Sequence, residues 1–286
     1  MTSNIKFALV GFSDKQVHRV EIKEELIRRG HVCDLMYFPT MLLDGHIIER
    51  TVELLSKYDV VHHLVAGGNG ELVKMLQERL LEVGVICPNL RVNASNLDDK
   101  VIQMTLLAKD GIPVPRSVRL VNPTKEEVAE LISFPFVLKE PRGSKGAQVA
   151  MCDENNFDKL IKKNTEYLGQ QLIDYGADYR VHIAGDQTFC AYERVAPKGD
   201  FRANVSLGGA MKKINDPALL TRLSELALRA AKTLSMDYGG VDILSDKKGN
   251  LLVLEFNSNP GFKDVSAVTG TPFYKPIADY YESLVA

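Results

Sequence analysis

The sequence predicts a protein of mixed α/β and α+β class, an N-terminal parallel α/β unit followed by antiparallel sheets. Three observations carry this reading. The first ninety residues alternate short apolar strands with helical patterns, as a parallel sheet with helices on its faces requires. Phe134 to Met151 reads as two strands around a glycine-bearing tip. From Leu168 the chain is strand-rich and includes a hairpin pattern, Gly240–Leu244 followed by the run up to Asn257.

Taken in order, the N-terminal strands are Lys6–Val10, Val32–Leu35, Val60–Leu64 and a short Val85–Ile86, with helices over Val17–Arg29, Ile47–Lys57 and Glu71–Val83. The first strand-to-helix turn, Gly11-Phe12-Ser13-Asp14, lacks the G-x-G-x-x-G spacing of a dinucleotide site. Gly67-Gly68-Asn69-Gly70 opens a helix and reads either as a tight turn or as an anion-holding loop. Asn93 to Asp99 is polar and linking. A helix follows to Lys109, closed by Gly111, Pro113 and Pro115. Asn122-Pro123-Thr124 begins another helix, to Ile132. Phe134–Lys139 and Gln148–Met151 flank the tip Gly143-Ser144-Lys145-Gly146. Further strands are expected at Gln170–Ile173, Tyr179–Ala184 and Thr188–Arg194. Asp216 caps and Pro217 starts a helix whose apolar face is Leu220, Leu223, Ala227, Ala230 and Leu234.

The 286 residues suffice for two or three small domains or one large one, and 45% hydrophobic with 25% charged residues is ordinary globular composition. A formal charge of −2 gives no global basic surface, so a nucleic-acid partner is not expected. Cys33, Cys87, Cys152 and Cys190 are scattered and read as buried reduced thiols, not as disulfides or a zinc site. No apolar run approaches ~18 residues, so the expectation is a soluble cytoplasmic protein without a membrane partner. His62, His63 and His182 show no triad or metal spacing.

The chemistry concentrates in Leu254-Glu255-Phe256-Asn257-Ser258-Asn259-Pro260-Gly261. Glu255 and Asn257, two apart on a strand, face one side of it. If Ser245 pairs with Asn250 across Asp246–Gly249, Asp242 falls opposite Val253 and shares that face. Such oxygen donors suit Mg²⁺, which takes one or two carboxylates plus substrate phosphates. Lys100 opens a helix and Lys139 ends a strand, and lysine serves phosphates as a point charge. The Gly143–Gly146 tip allows backbone N–H groups close to phosphate oxygens. Arg202 offers a planar donor to a phosphoryl group in transit.

The order of these runs resembles the ATP-grasp ligases, most closely the RimK-like branch, over roughly residues 95 to 275. The matching runs are Asp99-Lys100, Val137-Leu138-Lys139, Gln170-Gln171-Leu172-Ile173, Asp178-Tyr179-Arg180 and Glu193-Arg194. They continue through Gly199-Asp200-Phe201-Arg202-Ala203-Asn204, Gly208-Gly209, Gly240–Leu244 and Glu255–Gly261. The resemblance implies a pre-ATP-grasp domain over 1–93, a central subdomain with a glycine lid loop over 94–173, and a C-terminal subdomain with the metal site over 174–286. It implies that Lys100, Lys139 and the lid residues Gly143, Ser144, Lys145 and Gly146 serve the ATP phosphates. Gln170, Gln171, Leu172 and Ile173 would hold adenine, Asp178 the ribose, with Arg180 beside it. Arg202 and Asn204 would sit at the γ-phosphate. Asp242, Glu255 and Asn257 would coordinate two Mg²⁺, with Mn²⁺ the alternative ion. Ser258, Pro260 and Gly261 would line the acyl-acceptor side. Gln171 departs from the usual acidic residue, and the lid tip is more basic than is common.

The implied reaction is an ATP-dependent carboxylate–amine ligation through an acyl phosphate. It would add glutamate or a similar amino acid to a protein C-terminus, a carrier protein or a small molecule. A dimer or tetramer is common in such families. A small-molecule kinase, or a non-catalytic nucleotide-binding protein, would display the same phosphate and metal residues.

Overall fold

The computed structural model describes residues 4–11, 17–37, 46–64, 70–90, 99–142, 149–197 and 208–286, and these form three sheets. The first is parallel, in the order β2-β1-β3, from β1 (Lys6–Gly11), β2 (Val32–Tyr37) and β3 (Val60–His63). Its central strand is buried from Phe7 to Gly11, as a parallel strand covered on both faces must be. Helices α1 (Val17–Arg28), α2 (Ile47–Leu55) and α3 (Gly70–Glu82) match the expected pattern. The expected strand at Val85–Ile86 is a single parallel bridge from Ile86 to Val60.

The second sheet is antiparallel, in the order β4-β7-β5-β6. It comprises β4 (Ser117–Val121), β5 (Phe136–Lys139), β6 (Val149–Cys152) and β7 (Glu166–Gln171). The hairpin expected around the glycine tip is present, with Lys139 paired to Val149; residues 143–148 of the tip lie outside the described residues. Helix α4 (Lys100–Lys109) precedes this sheet, and α5 (Lys125–Leu131) begins with a capping box between Thr124 and Glu127. The strand expected at Gln170–Ile173 sits earlier, so Leu172 and Ile173 belong to the link into the next sheet. Strand β4 was not expected; it is an edge strand with one buried residue, Leu120, and carries little apolar pattern.

The third sheet is antiparallel, in the order β10-β9-β8-β11-β12. It comprises β8 (Tyr175–Ala184), β9 (Gln187–Val195), β10 (Ala210–Lys213), β11 (Tyr238–Asp246) and β12 (Leu251–Asn257). Tyr179, Val181, Val241, Ile243, Val253 and Phe256 share one core with Leu223, Ala227 and Ala230 of α7 (Pro217–Thr233) and with Met104 and Leu107 of α4. Asp216 caps α7 as expected, its carboxylate accepting from the Ala218 and Leu219 N–H groups. The short helices α6 (Phe157–Leu160) and α8 (Val265–Thr269) are below the length at which periodicity is readable.

The chain closes with α9 (Tyr274–Ser283), which the sequence pattern did not single out. It packs on α1 and completes the core of the first sheet. Ile277, Ala278 and Tyr281 join Phe7, Leu9, Ile22 and Leu26 there, together with Tyr192, Tyr238 and Phe262 of the third-sheet region. Arg29 fastens the helix through Asp279 at 2.5 Å and Glu282 at 2.7 Å. Among the described residues no helix is long and apolar enough to cross a membrane.

Candidate nucleotide and metal site

The hairpin of β11 and β12 does bring Asp242, Glu255 and Asn257 to one face, by a register that differs from the expected one. Ser245 pairs with Leu251, not Asn250. Continued without interruption, that register would set Asp242 opposite Leu254 and turn Glu255 to the other face. A bulge between Asp242 and Ile243 gives β12 one extra residue, so Asp242 pairs with Glu255 and Gly240 with Asn257. The inference of a shared face was right and its pairing was wrong by two residues, one from the longer turn and one from the bulge, and the two shifts together restore the face.

Neighbouring strands extend this face. Asp242 pairs with Arg180 on β8, and Asp178 on β8 pairs with Arg194 on β9. The side chains form one buried network. Arg180 donates to both oxygens of Asp242, the Nη2–Oδ2 bond being 2.8 Å. Arg194 donates to Asp242 Oδ2 at 3.0 Å and to Asp178 Oδ1 at 2.7 Å. Burial pushes Asp242 up, but the two arginines outweigh it and hold the carboxyl at about 2. For Asp178 burial wins against Arg194, and the carboxyl rises to about 6.

Strand β5 of the second sheet and helix α4 supply the cations. Lys139 donates to Gln170 Oε1 at 2.6 Å, and Gln170 is itself buried against Ser117 and Met104. Burial lowers the Lys139 ammonium; Glu255 opposes this, Lys100 adds to it, and Asp242 and Asp178 oppose it. Those influences put Lys139 in the field of every acidic candidate. Lys100 Nζ lies 3.5 Å from Glu255 Oε2, and Asn257 Nδ2 donates to Glu255 Oε1 at 3.1 Å. Asp99 caps α4 with its side chain and receives Arg142, while the Lys100 N–H donates to Pro141 O at 2.9 Å. The root of the β5–β6 hairpin is therefore tied to the helix that carries Lys100.

Two residues of consequence were missed. Gln103 on α4 bonds both backbone groups of Phe256, between Glu255 and Asn257. A polar side chain on the buried side of an otherwise apolar helix was the available signal. Arg194 stood in a matched run but was assigned no part.

The other expected residues place as follows. Leu172 and Ile173 are half-buried in the link between sheets, and Gln171 is exposed. Ser258 and Pro260 are buried and Gly261 exposed in the turn after β12. Asn259 ties that turn to Leu64 O at 2.9 Å, and Phe262 lies against His182, ring centroids 4.7 Å apart. Arg202, Asn204, Gly143, Ser144, Lys145 and Gly146 lie outside the described residues. His62 and His63 are core residues, His62 bonding Tyr281 at 2.6 Å. The four cysteines are free and buried, with thiols raised by burial to about 12, or about 11 for Cys152. They are inert packing groups.

Among the described residues no group of three or more His, Cys, Asp or Glu is set to hold a metal. Two carboxylates and an amide fit a hard cation that draws its other ligands from phosphate and water.

Two antiparallel sheets, one presenting Lys139 and the other, with helix α4, presenting the carboxylates and Lys100, define an ATP-grasp fold. The solved structure of the ATP-grasp ligase PsnB, complexed with a phosphomimetic variant of its minimal precursor, Mg and ADP, is similar, with a TM-score of 0.72. Its sequence identity is 20%, covering 99% of each chain. D-alanine–D-alanine ligase from Bacillus anthracis, complexed with ATP, gives a TM-score of 0.71 at 18% identity, covering 99% of this chain and 98% of that one. The model of the RimK-like ATP-grasp domain matches residues 97–281, and the chain belongs to that family of ATP-dependent ligases. A protein of Haemophilus influenzae named probable alpha-L-glutamate ligase is 31% identical over 237 residues, 80% of this chain and 77% of the relative. One of the same name from Shewanella loihica is 28% identical over 295 residues, 97% and 95% of the two chains.

Proposed function

We propose that this chain joins a carboxylate to an amine at the expense of ATP through an acyl phosphate, with glutamate as the favoured amino acid. The observation that carries this reading is the Lys100 ammonium 3.5 Å from Glu255, with Lys139 in the field of Glu255, Asp242 and Asp178. The choice of glutamate draws on the relatives named probable alpha-L-glutamate ligase.

A carboxylate resists nucleophiles because its own charge repels them; phosphorylation removes that charge and supplies a leaving group. In the first step a carboxylate oxygen attacks the γ-phosphorus of ATP and ADP leaves. In the second the amine attacks the acyl carbon, loses a proton, and phosphate departs. The residues that hold the nucleotide need supply only position and charge. Lys139 and Lys100 neutralise phosphate oxygens, Asp178 accepts from the ribose hydroxyls, and the segment Gln170–Ile173, from the end of β7 into the link, faces adenine. Asp242, Glu255 and Asn257 would hold two Mg²⁺, which when bound offset charge on the transferring phosphoryl group. Arg202 and Asn204 join the γ-phosphate, and Ser258, Pro260 and Gly261 line the acceptor side. The corresponding division of labour is 1–93 for the acceptor, 94–173 for the nucleotide and lid, and 174–286 for metal and ribose.

The test is ADP release from Mg-ATP with each amino acid singly and a peptide and metabolite pool, followed by mass spectrometry. Release that depends on one amino acid, with a product heavier by that residue, supports the ligase. A phosphorylated product without an amide replaces it with a kinase, and ATP binding without turnover under every condition replaces it with a binding protein.

A further inference from the structure

Arg194 lies between the two carboxylates to which nucleotide and metal are assigned above, and the following inference rests on that assignment. Its guanidinium reaches from β9 past β8 to β11, a separation of about 10 Å at the usual strand spacing. Nε and Nη2 lie 2.7 and 2.6 Å from Asp178 Oδ1, and Nη1 lies 3.0 Å from Asp242 Oδ2. Arg194, Asp178 and Asp242 are 6%, 8% and 3% exposed, so solvent screens none of these bonds. Arg180 holds Asp242 as well, but both of its side-chain hydrogen bonds go to that one carboxylate, so it does not join the two ends.

We propose that Arg194 is a positioning residue that couples the nucleotide end of the site to the metal end. One planar group fixes both carboxylates, so an Asp178 held by ribose fixes the guanidinium and, through it, the orientation of Asp242. A lysine ammonium, a compact charge without a rigid fork, does not set both carboxylates at once.

The experiment measures Mn²⁺ binding by electron paramagnetic resonance at saturating ADP, with no amino acid or acceptor present. The proteins are wild type, D178N, R194M and the double variant. In the wild-type background D178N should weaken Mn²⁺ binding about tenfold although Asp178 is not a metal ligand, and in the R194M background less than about twofold. Equal effects in both backgrounds overturn the proposal, as does no effect of D178N in the wild type. If R194M does not fold by circular dichroism, R194K takes its place. It should also lose the coupling, and coupling of wild-type size in R194K overturns the proposal. Mn²⁺ retained by D242N removes the metal assignment and the coupling with it. Because no transfer reaction is measured, failure of the ligase reading leaves the result intact.

Discussion

Gln103 and Phe256 are joined as if they were strand partners. The Gln103 amide nitrogen donates to Phe256 O at 2.9 Å and its oxygen accepts from Phe256 N at 2.8 Å. Strand β12 is the last in its sheet, so its outer backbone groups have no strand to pair with. Gln103 supplies that pairing at the one residue between Glu255 and Asn257, and Val253 N finds Pro113 O at 2.8 Å. Lys100 stands one helical turn before Gln103, so the same staple fixes Lys100 against Glu255.

Gln103→Ala should therefore cost about 2–4 kcal/mol, since it orphans a buried N–H and a buried C=O. Gln103→Met, which keeps most of the volume, should cost nearly as much. Urea denaturation of the three proteins measures this. A Met variant as stable as the wild type would show that the amide contributes shape only.

This staple also marks the limit of what the sequence discloses. Asp178 entered only through the family resemblance, whereas that Lys100, Lys139, Asp242, Glu255 and Asn257 come near one another was legible because each is a charged or amide side chain at an element end or at strand parity. The bulge that brings Asp242 opposite Glu255 was not, for it depends on how the strands meet and not on any residue type. Strands β4 and β10 escaped because edge strands bury little: β10, Ala-Met-Lys-Lys, has no buried residue. Gln103 and Arg194 act on partners 153 and 16 or 48 residues away, which no local pattern announces.

Glu255→Gln should lower turnover by about 100-fold or more while ATP still binds, because it removes charge where phosphoryl transfer needs it. Lys100 Nζ, 3.5 Å away, loses its counter-charge at the same time. Nucleotide binding by calorimetry beside ADP release separates the two effects. Undiminished turnover in this variant would rule out Glu255 as a metal ligand.

Gly239 and Gly240 are adjacent on β11 and should respond differently to alanine. A Cβ on Gly239 would lie 2.4 Å from both Asn257 O and Phe256 Cε1, so the strands would have to part. Gly239→Ala should be destabilised by about 3 kcal/mol or more, or fail to fold. At Gly240 the nearest atoms are Arg180 Cδ at 3.0 Å and Pro260 Cβ at 3.1 Å. Both contacts are tight but relieved by a shift of a few tenths of an ångström, so Gly240→Ala should fold with a modest loss of stability. Its cost should appear at Asp242, whose carboxylate Arg180 holds, as a raised Mg²⁺ requirement. Thermal melts and a Mg²⁺ titration of ADP release distinguish the pair.

Asp178 should give stability and nucleotide binding opposite pH dependences. Burial raises its folded-state value from 3.8 to about 6. The folded protein thus holds a proton that the unfolded chain has lost between those values. The resulting stability is complete below about 3.8 and is lost as pH rises through about 6. Asp242, held at about 2, contributes in the other sense, with stability present above 3.8 and lost as pH falls through about 2. In the window from pH 4 to 6 only Asp178 changes of the two. The stability of the wild type relative to Asp178→Asn should therefore decline as pH rises across that window. Ribose hydroxyls, by contrast, need the ionised carboxylate as acceptor, so nucleotide affinity should fall by about fivefold from pH 6 to pH 5. Asp178→Asn should bind nucleotide weakly and without that pH dependence. Denaturation and nucleotide titration of both proteins from pH 4 to 7 make the comparison. A wild-type affinity that is flat across pH 5–7 would separate Asp178 from the ribose.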